Sequence, residues 1–202
     1  MNAMEGDRRE RRQRLFHETA ADQRGYFTAA QARDVGYSYQ AQAHHVTAGN
    51  WIRVDRGLFR LAEWVPEVHD EFARWALWSS GRGVVSHESA LGVHQVGEFE
   101  AAKVHLTVPR NFTMSDPAVV VHRASLEPQD VVDDGGFRLT SVTRSLIDVA
   151  ATGVDLDQLA RAIDEARERG LVNIRALRSR AEVVDLRAAL AVERALALRS
   201  TS

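Results

Sequence analysis

One stretch, residues 27–61, constrains the fold of this chain more than any other, because its hydrophobic period changes partway along. Thr28 provides a helix-start signal for a short helical run that ends at Gly36. A second run with helical spacing covers residues 38–48 and is followed by Gly49. The spacing therefore predicts two short helices separated by a tight turn.

A small hairpin is predicted directly after these helices. Residues 51–54 and 58–61 have the apolar and aromatic content of strands, and residues 55–57 end in Gly57, which tolerates a positive φ. The order of helix, turn, helix and hairpin is that of a winged helix-turn-helix. Residues 9–21 are expected to form a helix that precedes it.

The second helix of this pair has two distinct faces. Tyr39, Ala43 and Val46 share one face and are expected to pack inward, whereas polar and mostly uncharged side chains share the other. Such side chains can hydrogen-bond to base edges in the major groove of DNA. The residues predicted to contact DNA from this helix are Ser38, Gln40, His44 and Thr47.

Arginines surround the predicted hairpin and would contact the DNA backbone beside that helix. Arg53 and Arg60 lie on its two strands, and Arg56 lies at its tip, where an arginine suits a phosphate or a narrow minor groove. Five more arginines crowd residues 8–14. That segment has two interpretations: a solvated helix end, partly neutralised by its own carboxylates, or a basic arm that lies on phosphate.

Composition indicates an ordinary globular protein. The 202 residues are 45% hydrophobic and 27% charged, and no apolar run is long enough to span a membrane. The chain has no cysteine, which fits a cytoplasmic protein. Residues 1–61 hold ten arginines against seven carboxylates, a net charge of +3, whereas residues 62–202 have a net charge of −5. This asymmetry places any site for a polyanion in the N-terminal third.

The rest of the chain predicts an α+β fold. Residues 103–108, 118–122 and 137–139 have strand character, whereas the last fifty residues are helical and carry a continuous apolar stripe. We therefore expect a winged helix-turn-helix domain over residues 9–62 and a second, mixed domain over residues 63–202 with a small sheet and a helical C-terminal part.

No metal site or cofactor is expected from the histidines. His87 and His94 are two helical turns apart, which suits packing better than ligation. His105 and His122 lie on predicted strands and could be neighbours in a sheet, but no histidine has the spacing of a known metal motif.

A nuclease is the enzyme class that needs weighing, because two-metal nucleases surround an active-site lysine with acidic residues. The only lysine, Lys103, follows Glu100 at a spacing close to such a motif, and Asp133 could complete the cluster. Asp133 lies beside two glycines, however, and a turn is the simpler explanation. We therefore predict that the protein is not an enzyme.

Several motifs together resemble the AbiEi-type antitoxins, which repress transcription in bacterial type IV toxin–antitoxin systems. The resemblance covers the run Gly49–Arg60 with the helix pair before it, and continues in the segments 86–94, 103–111 and 137–151. One departure concerns the second helix, where Gln42 stands at a position at which we expect leucine in this family.

The resemblance implies binding of double-stranded DNA at inverted repeats in the protein's own promoter. It also implies that the second domain neutralises a nucleotidyltransferase toxin encoded next to it. A stand-alone regulator, a DNA-binding nuclease and a protein-binding winged helix remain alternatives at this point.

Overall fold

The computed structural model describes residues 2–199, except for the side chains of a few residues near the termini. Its helices and small sheets form an α+β fold, and its last four elements are helices, which confirms the predicted fold class. The chain divides into two compact units. Unit 1 comprises Met1–Arg82 and Asp134–Phe137, and unit 2 comprises Gly83–Asp133 and Arg138–Ser202.

Unit 1 has the predicted order of helices and hairpin, preceded by a short strand. Its regular elements are α1 (Asn2–Leu15), β1 (Tyr26–Thr28), α2 (Ala29–Asp34), α3 (Tyr39–Thr47), β2 (Trp51–Asp55), β3 (Leu58–Leu61) and α4 (Asp70–Trp78). The first helix begins at Asn2 rather than near residue 9, and irregular helical turns over residues 16–23 follow it. Thr28 caps α2 through its hydroxyl, which accepts a hydrogen bond from Gln31 N–H at 3.2 Å.

The three strands of unit 1 form one antiparallel sheet in the order β1-β3-β2. Gly57 has a φ of +71°, as the predicted tight turn requires. Its carbonyl oxygen accepts a 2.8 Å hydrogen bond from the main-chain N–H of Ala29. This bond holds the tip of the hairpin against the start of α2.

An aromatic cluster on one face of this sheet forms the core of unit 1. The ring of Phe27 meets the ring of Trp51 edge to face with their centroids 4.8 Å apart, and Trp51 also contacts Tyr37 at 5.0 Å. Leu15 of α1 is buried in the same cluster. The aromatic residues of the hairpin therefore hold α1 and the α2–α3 turn against the sheet.

Helix α4 belongs to unit 1, although the predicted boundary between residues 62 and 63 assigns it to the second domain. Asp70, at the start of α4, accepts a 3.1 Å hydrogen bond from the Trp64 indole and forms a 3.5 Å ion pair with Arg24. These polar contacts tie α4 to the hairpin and to the segment before β1. The division of functions between residues 9–62 and 63–202 stays a prediction.

Unit 2 combines a five-stranded mixed sheet with five helices among the described residues. Its elements are β4 (Val84–Val85), α5 (His87–His94), β5 (Val104–Val108), β6 (Val119–Arg123), β7 (Val131–Asp133), β8 (Arg138–Thr140), α6 (Val142–Thr152), α7 (Leu156–Glu168), α8 (Ile174–Val184) and α9 (Leu186–Arg199). The strand order is β6-β5-β4-β8-β7. Residues 131–133, predicted to be part of a turn, form an edge strand, because they pair antiparallel with β8.

The helices of unit 2 share a core of small and branched apolar residues. Leu146 and Ile147 of α6, Leu159 and Ile163 of α7 and Leu177 of α8 are fully buried in it. Helix α9 completes the core with Val192 and several alanines. This is the apolar stripe that the periodicity predicts.

A buried ion network lies at the edge of this core. Asp130 accepts hydrogen bonds from Arg144 at 2.9 Å and from Arg180 at 2.6 and 3.0 Å, and Arg144 also donates to Asp148 at 2.8 Å. Asp130, Arg144 and Asp148 are all buried. The network joins the chain before β7 to α6 and α8.

No helix within residues 2–199 is long and apolar enough to cross a bilayer.

Candidate nucleic-acid interface

The rotation of α3 about its axis is set by Gln42, which occupies the inward position of the helix. Gln42 is only 3% exposed, and its side-chain amide donates 3.0 Å hydrogen bonds to the main-chain oxygens of Ala29 and Tyr37. A buried amide is tolerated when its donors are satisfied in this way. Glutamine therefore takes the core position at which leucine is expected.

The inward face of α3 differs from the predicted one. Tyr39 is 63% exposed and Ala43 is exposed, so the predicted inward set of Tyr39, Ala43 and Val46 is wrong for its first two members. Tyr37, which precedes the helix, fills the core instead. With Gln42 inside, the 100° step between helical residues turns Ala43 away from the core.

The outward face of α3 carries the polar residues that the sequence predicts for DNA. Gln40, His44 and Thr47 are exposed along it, and the Thr47 hydroxyl donates a 3.1 Å hydrogen bond to the main-chain oxygen of Ala43. Ser38 caps the helix by accepting a 3.2 Å hydrogen bond from Ala41 N–H. The Ser38 oxygen is thus engaged in capping, while Gln40 and His44 present their polar atoms to solvent.

An exposed cation that the sequence does not predict as a DNA contact lies at the start of α3. The guanidinium of Arg33, at the end of α2, donates a 3.1 Å hydrogen bond to the Tyr39 hydroxyl and lies 5.3 Å from the centre of its ring. Both side chains are exposed. The sequence prediction missed the contact between Arg33 and Tyr39, because it placed the Tyr39 ring in the core.

The structure separates the two strand arginines of the hairpin. Arg53 lies opposite Phe59 in the register, on the sheet face that packs against α3 through Trp51. Arg60 lies opposite Tyr26, on the other face, and its guanidinium carbon is 5.9 Å from the Tyr26 ring centre. Arg53 is therefore on the side of α3, and Arg60 is on the opposite side of the sheet.

Arg56 lies exposed at the tip of the hairpin. Its main-chain N–H donates a 2.6 Å hydrogen bond to the Asp55 carboxylate, which also lies 3.8 Å from the Arg74 guanidinium. Asp55 therefore shapes the turn and pairs with α4, while the Arg56 guanidinium has no ion-pair partner within the described part of the chain. A cation at this tip can meet a phosphate without first breaking an internal contact.

The arginine-rich start of the chain is partly neutralised. Arg12 pairs with Glu63, and Arg14 lies 3.8 Å from Glu10 one helical turn away. Arg11 and Arg12 also line a cleft of about 630 Å³ that extends to Ser38 and His44. The cleft continues the polar surface of α3 toward α1.

The three residues considered for a nuclease do not form one site. Lys103 precedes the first residue of β5 and Glu100 lies before it, whereas Asp133 ends β7. Two strands, β4 and β8, separate β5 from β7, so the backbones of β5 and β7 are about 14 Å apart across the sheet. The pairings make β5 and β7 parallel, which places the start of one and the end of the other at opposite ends of the sheet.

Unit 1 thus has a helix pair followed by a hairpin, and this arrangement is compatible with a winged helix-turn-helix. Residues 17–62 match the family AbiEi_4, described as "Transcriptional regulator, AbiEi antitoxin". The match confirms the family resemblance over this segment, which contains α2, α3 and the hairpin. The matched family is one of transcriptional regulators and antitoxins.

A solved structure shares the fold over nearly the whole chain, beyond the segment that matches the family. The RV2827C protein from Mycobacterium tuberculosis superposes with a TM-score of 0.60, at 11% sequence identity, over 92% of this chain and 77% of that one. At this identity the likeness establishes the fold alone. No curated protein sequence matches the chain.

Proposed function

We propose that this protein is a DNA-binding transcriptional repressor of its own promoter and the antitoxin of a toxin–antitoxin pair. The observation that carries the proposal is the outward face of α3, where Gln40, His44 and Thr47 lie exposed, together with the exposed Arg56 at the tip of the following hairpin. The match of residues 17–62 to a family of regulators and antitoxins supports the same function.

In the proposed complex, α3 enters the major groove with its N-terminus first. Gln40 is suited to bidentate hydrogen bonding with adenine, and His44 and Thr47 offer further polar atoms one and two turns along the helix. The positive end of the helix dipole at Ser38 favours a phosphate of the same groove. Each copy of the protein would read one half of an inverted repeat.

Contacts to the DNA backbone are assigned to the arginines on the α3 side of unit 1. Arg56 at the hairpin tip and Arg53 on the sheet face of Trp51 are the primary candidates. Arg33 extends the cationic surface at the start of α3, where it lies against Tyr39. Because Arg60 lies on the other sheet face, we assign it a smaller contribution to the contacts with the DNA backbone than the sequence suggests.

The antitoxin role is assigned to residues 63–202. The family matched by residues 17–62 includes antitoxins, which supports an antitoxin role for the protein as a whole. The partner that we propose is a nucleotidyltransferase toxin encoded next to this gene. The acidic balance of residues 62–202, with sixteen cations against twenty-one carboxylates, suits a protein partner better than a nucleic acid.

A gel-shift titration with the upstream region of the gene tests the DNA-binding part. We expect the protein to shift the upstream duplex at low salt, and we expect an unrelated duplex to compete only weakly for the protein. Equal competition by an unrelated duplex would remove the repressor function. Co-expression with the neighbouring reading frame tests the antitoxin part, since rescue of growth by the protein is expected only if that frame encodes the toxin.

A further inference from the structure

Three histidines that are far apart in the sequence meet in unit 2. His87 is the first residue of α5, His105 lies on β5 and His122 lies on β6. The parallel register of β5 and β6 places His105 opposite Val120 and His122 opposite Thr107, so both imidazoles lie on one face of the sheet. Ser86 N–H donates a 3.0 Å hydrogen bond to the main-chain oxygen of His105, which brings the start of α5 to the same place.

The nitrogens of the three rings converge. One nitrogen from each imidazole lies within 4.8 Å of the other two. His122 Nε2 is 3.2 Å from His105 Nδ1, and the rings of His87 and His122 stack with their centroids 3.5 Å apart. Two nitrogens bound to one tetrahedral zinc ion lie about 3.3 Å apart, given zinc–nitrogen distances of about 2.0–2.1 Å. The pair on β5 and β6 therefore already has the spacing of two ligands.

A carboxylate stands beside the histidines. Glu88 Oε2 lies 2.9 Å from His105 Nδ1 and is buried, so it receives a hydrogen bond only if that nitrogen carries a proton. The contact is to the nitrogen that faces His122, not to the other nitrogen of the ring. A carboxylate that merely orients a metal-bound imidazole contacts the ring nitrogen away from the metal. Glu88 therefore lies beside the three histidines, and its contact with His105 is on the side of the ring that faces His122.

The nitrogen His105 Nδ1 has two polar neighbours, and it cannot donate to one and accept from the other at the same time. His105 Nδ1 faces both Glu88 Oε2 and His122 Nε2, and an imidazole nitrogen carries either one hydrogen or one lone pair. If Nδ1 donates to Glu88, then it has no lone pair with which to accept a hydrogen from His122. If it accepts from His122, then Glu88 Oε2 stays without a donor. A cation bound by the lone pairs of both nitrogens would remove this competition, with the carboxylate of Glu88 beside it.

The backbone at His87 points the same way. His87 has a φ of +54°, in the left-handed region, which is uncommon for residues other than glycine although histidine adopts it more readily than most. Strain of this kind clusters at functional sites. Here it directs the first side chain of α5 toward β5 and β6.

We propose that unit 2 contains a binding site for a first-row transition-metal ion, with zinc as its best-suited occupant. His87, His105 and His122 are the imidazole ligands, and Glu88 is the carboxylate that lies beside them. Imidazole nitrogens select zinc and its neighbours over magnesium or calcium, which prefer oxygen. The ion ties α5 to β5 and β6, and so stabilises unit 2 by binding the folded state alone. The site is independent of the proposed DNA surface.

Titration of the untagged 202-residue protein with Zn²⁺, after removal of metal by a chelator, tests the site. We expect one ion per chain, a higher melting temperature with the ion, and the visible absorption of tetrahedral Co²⁺ when cobalt replaces zinc. His105→Gln and His122→Gln should each weaken binding by about 100-fold or more, since each removes a ligand. The matched control is His17→Gln, an exposed histidine of unit 1, which should bind as the wild type does.

A second measurement does not depend on the variants folding. The imidazole ¹⁵N resonances of the wild-type protein should shift on addition of one equivalent of Zn²⁺ for three histidines, with His105 bound through Nδ1 and His122 through Nε2. Failure to take up one equivalent of zinc would overturn the proposal. So would uptake that leaves these three imidazoles unchanged, because the ion would then be bound elsewhere.

Discussion

The side-chain amide of Gln42 in α3 donates a 3.0 Å hydrogen bond to the main-chain oxygen of Ala29, the first residue of α2. This bond joins the two helices of the pair and fixes the rotation of α3. With Gln42 turned inward, Gln40 and His44 face solvent. The polar surface of α3 thus depends on a buried residue that has no contact with that surface.

Replacing Gln42 tests this dependence. Gln42→Ala should lower the free energy of unfolding by about 2–3 kcal/mol, because two main-chain oxygens lose their donor and a cavity remains. Gln40→Ala, a change of the same type on the exposed face, should stay within about 0.5 kcal/mol of the wild type. Urea unfolding measures both. Equal stabilities for the two variants would contradict the buried position of Gln42.

The hairpin arginines are predicted to differ in their effect on DNA binding. Arg56→Ala should weaken binding to all duplexes by a similar factor and lower the slope of log K against log salt by about 1, because it removes one phosphate contact. Arg60→Ala, on the opposite sheet face, should leave the slope unchanged. Fluorescence anisotropy over a salt series measures the slopes. A larger decrease in the slope for Arg60→Ala than for Arg56→Ala would contradict this, and would make Arg60 the residue that contacts a phosphate.

Much of unit 1 follows from its sequence, because local signals there agree with the tertiary structure. Thr28, Gly36 and Gly57 lie where helices begin or turns occur, and the two hairpin strands lie within a residue of their predicted bounds, whereas the short strand β1 is not predicted. The rotation of α3 does not follow from periodicity. Glutamine ranks as polar in any such pattern, and only the two carbonyl oxygens within its reach make it a core residue.

The buried network around Asp130 should make α8 sensitive at one arginine and tolerant at another. Arg180→Ala should cost about 2 kcal/mol of stability, because it removes two charge-assisted hydrogen bonds to a buried carboxylate. Arg178→Ala removes a pair with the exposed Glu193 on the surface and should cost less than about 1 kcal/mol. Chemical denaturation of the two variants measures the difference. Equal losses of stability for the two variants would show that Arg144 alone is enough to compensate the buried charge of Asp130.

Asp148 should give unit 2 a stability that depends on pH. Burial raises the pKa of Asp148 to about 6, and burial outweighs the attraction of Arg144. A carboxyl whose pKa is raised in the folded state stabilises it below pH 3.8, the value expected when unfolded, and this contribution is lost as pH rises through 6.

The corresponding variant is Asp148→Asn, whose amide oxygen can still accept from Arg144 but does not titrate. Relative to the wild type it should gain stability between pH 4 and pH 7, by at most about 3 kcal/mol for a shift of this size. Thermal unfolding at several pH values measures the difference. A constant difference across this range would contradict the raised pKa.

Unit 2 shows the limit of local sequence signals more clearly. Strand character at His105 and His122 suggests that they are neighbours, yet the approach of His87 depends on the pairing of β4 with β5. Strand β4 has only two residues, too few for an alternating pattern to be detected. Contacts between distant segments decide this cluster, and the spacing of the histidines along the chain carries no trace of it.

The central claim is that the outward face of α3 reads base sequence, and Gln40 tests it most directly. Competition titrations would compare the upstream duplex with a scrambled duplex of the same length, for the wild type and for Gln40→Ala. We expect the wild type to prefer the upstream duplex and Gln40→Ala to lose about 1–3 kcal/mol of that preference at unchanged stability. A wild type without preference, or a Gln40→Ala variant that keeps the whole of it, would contradict the claim.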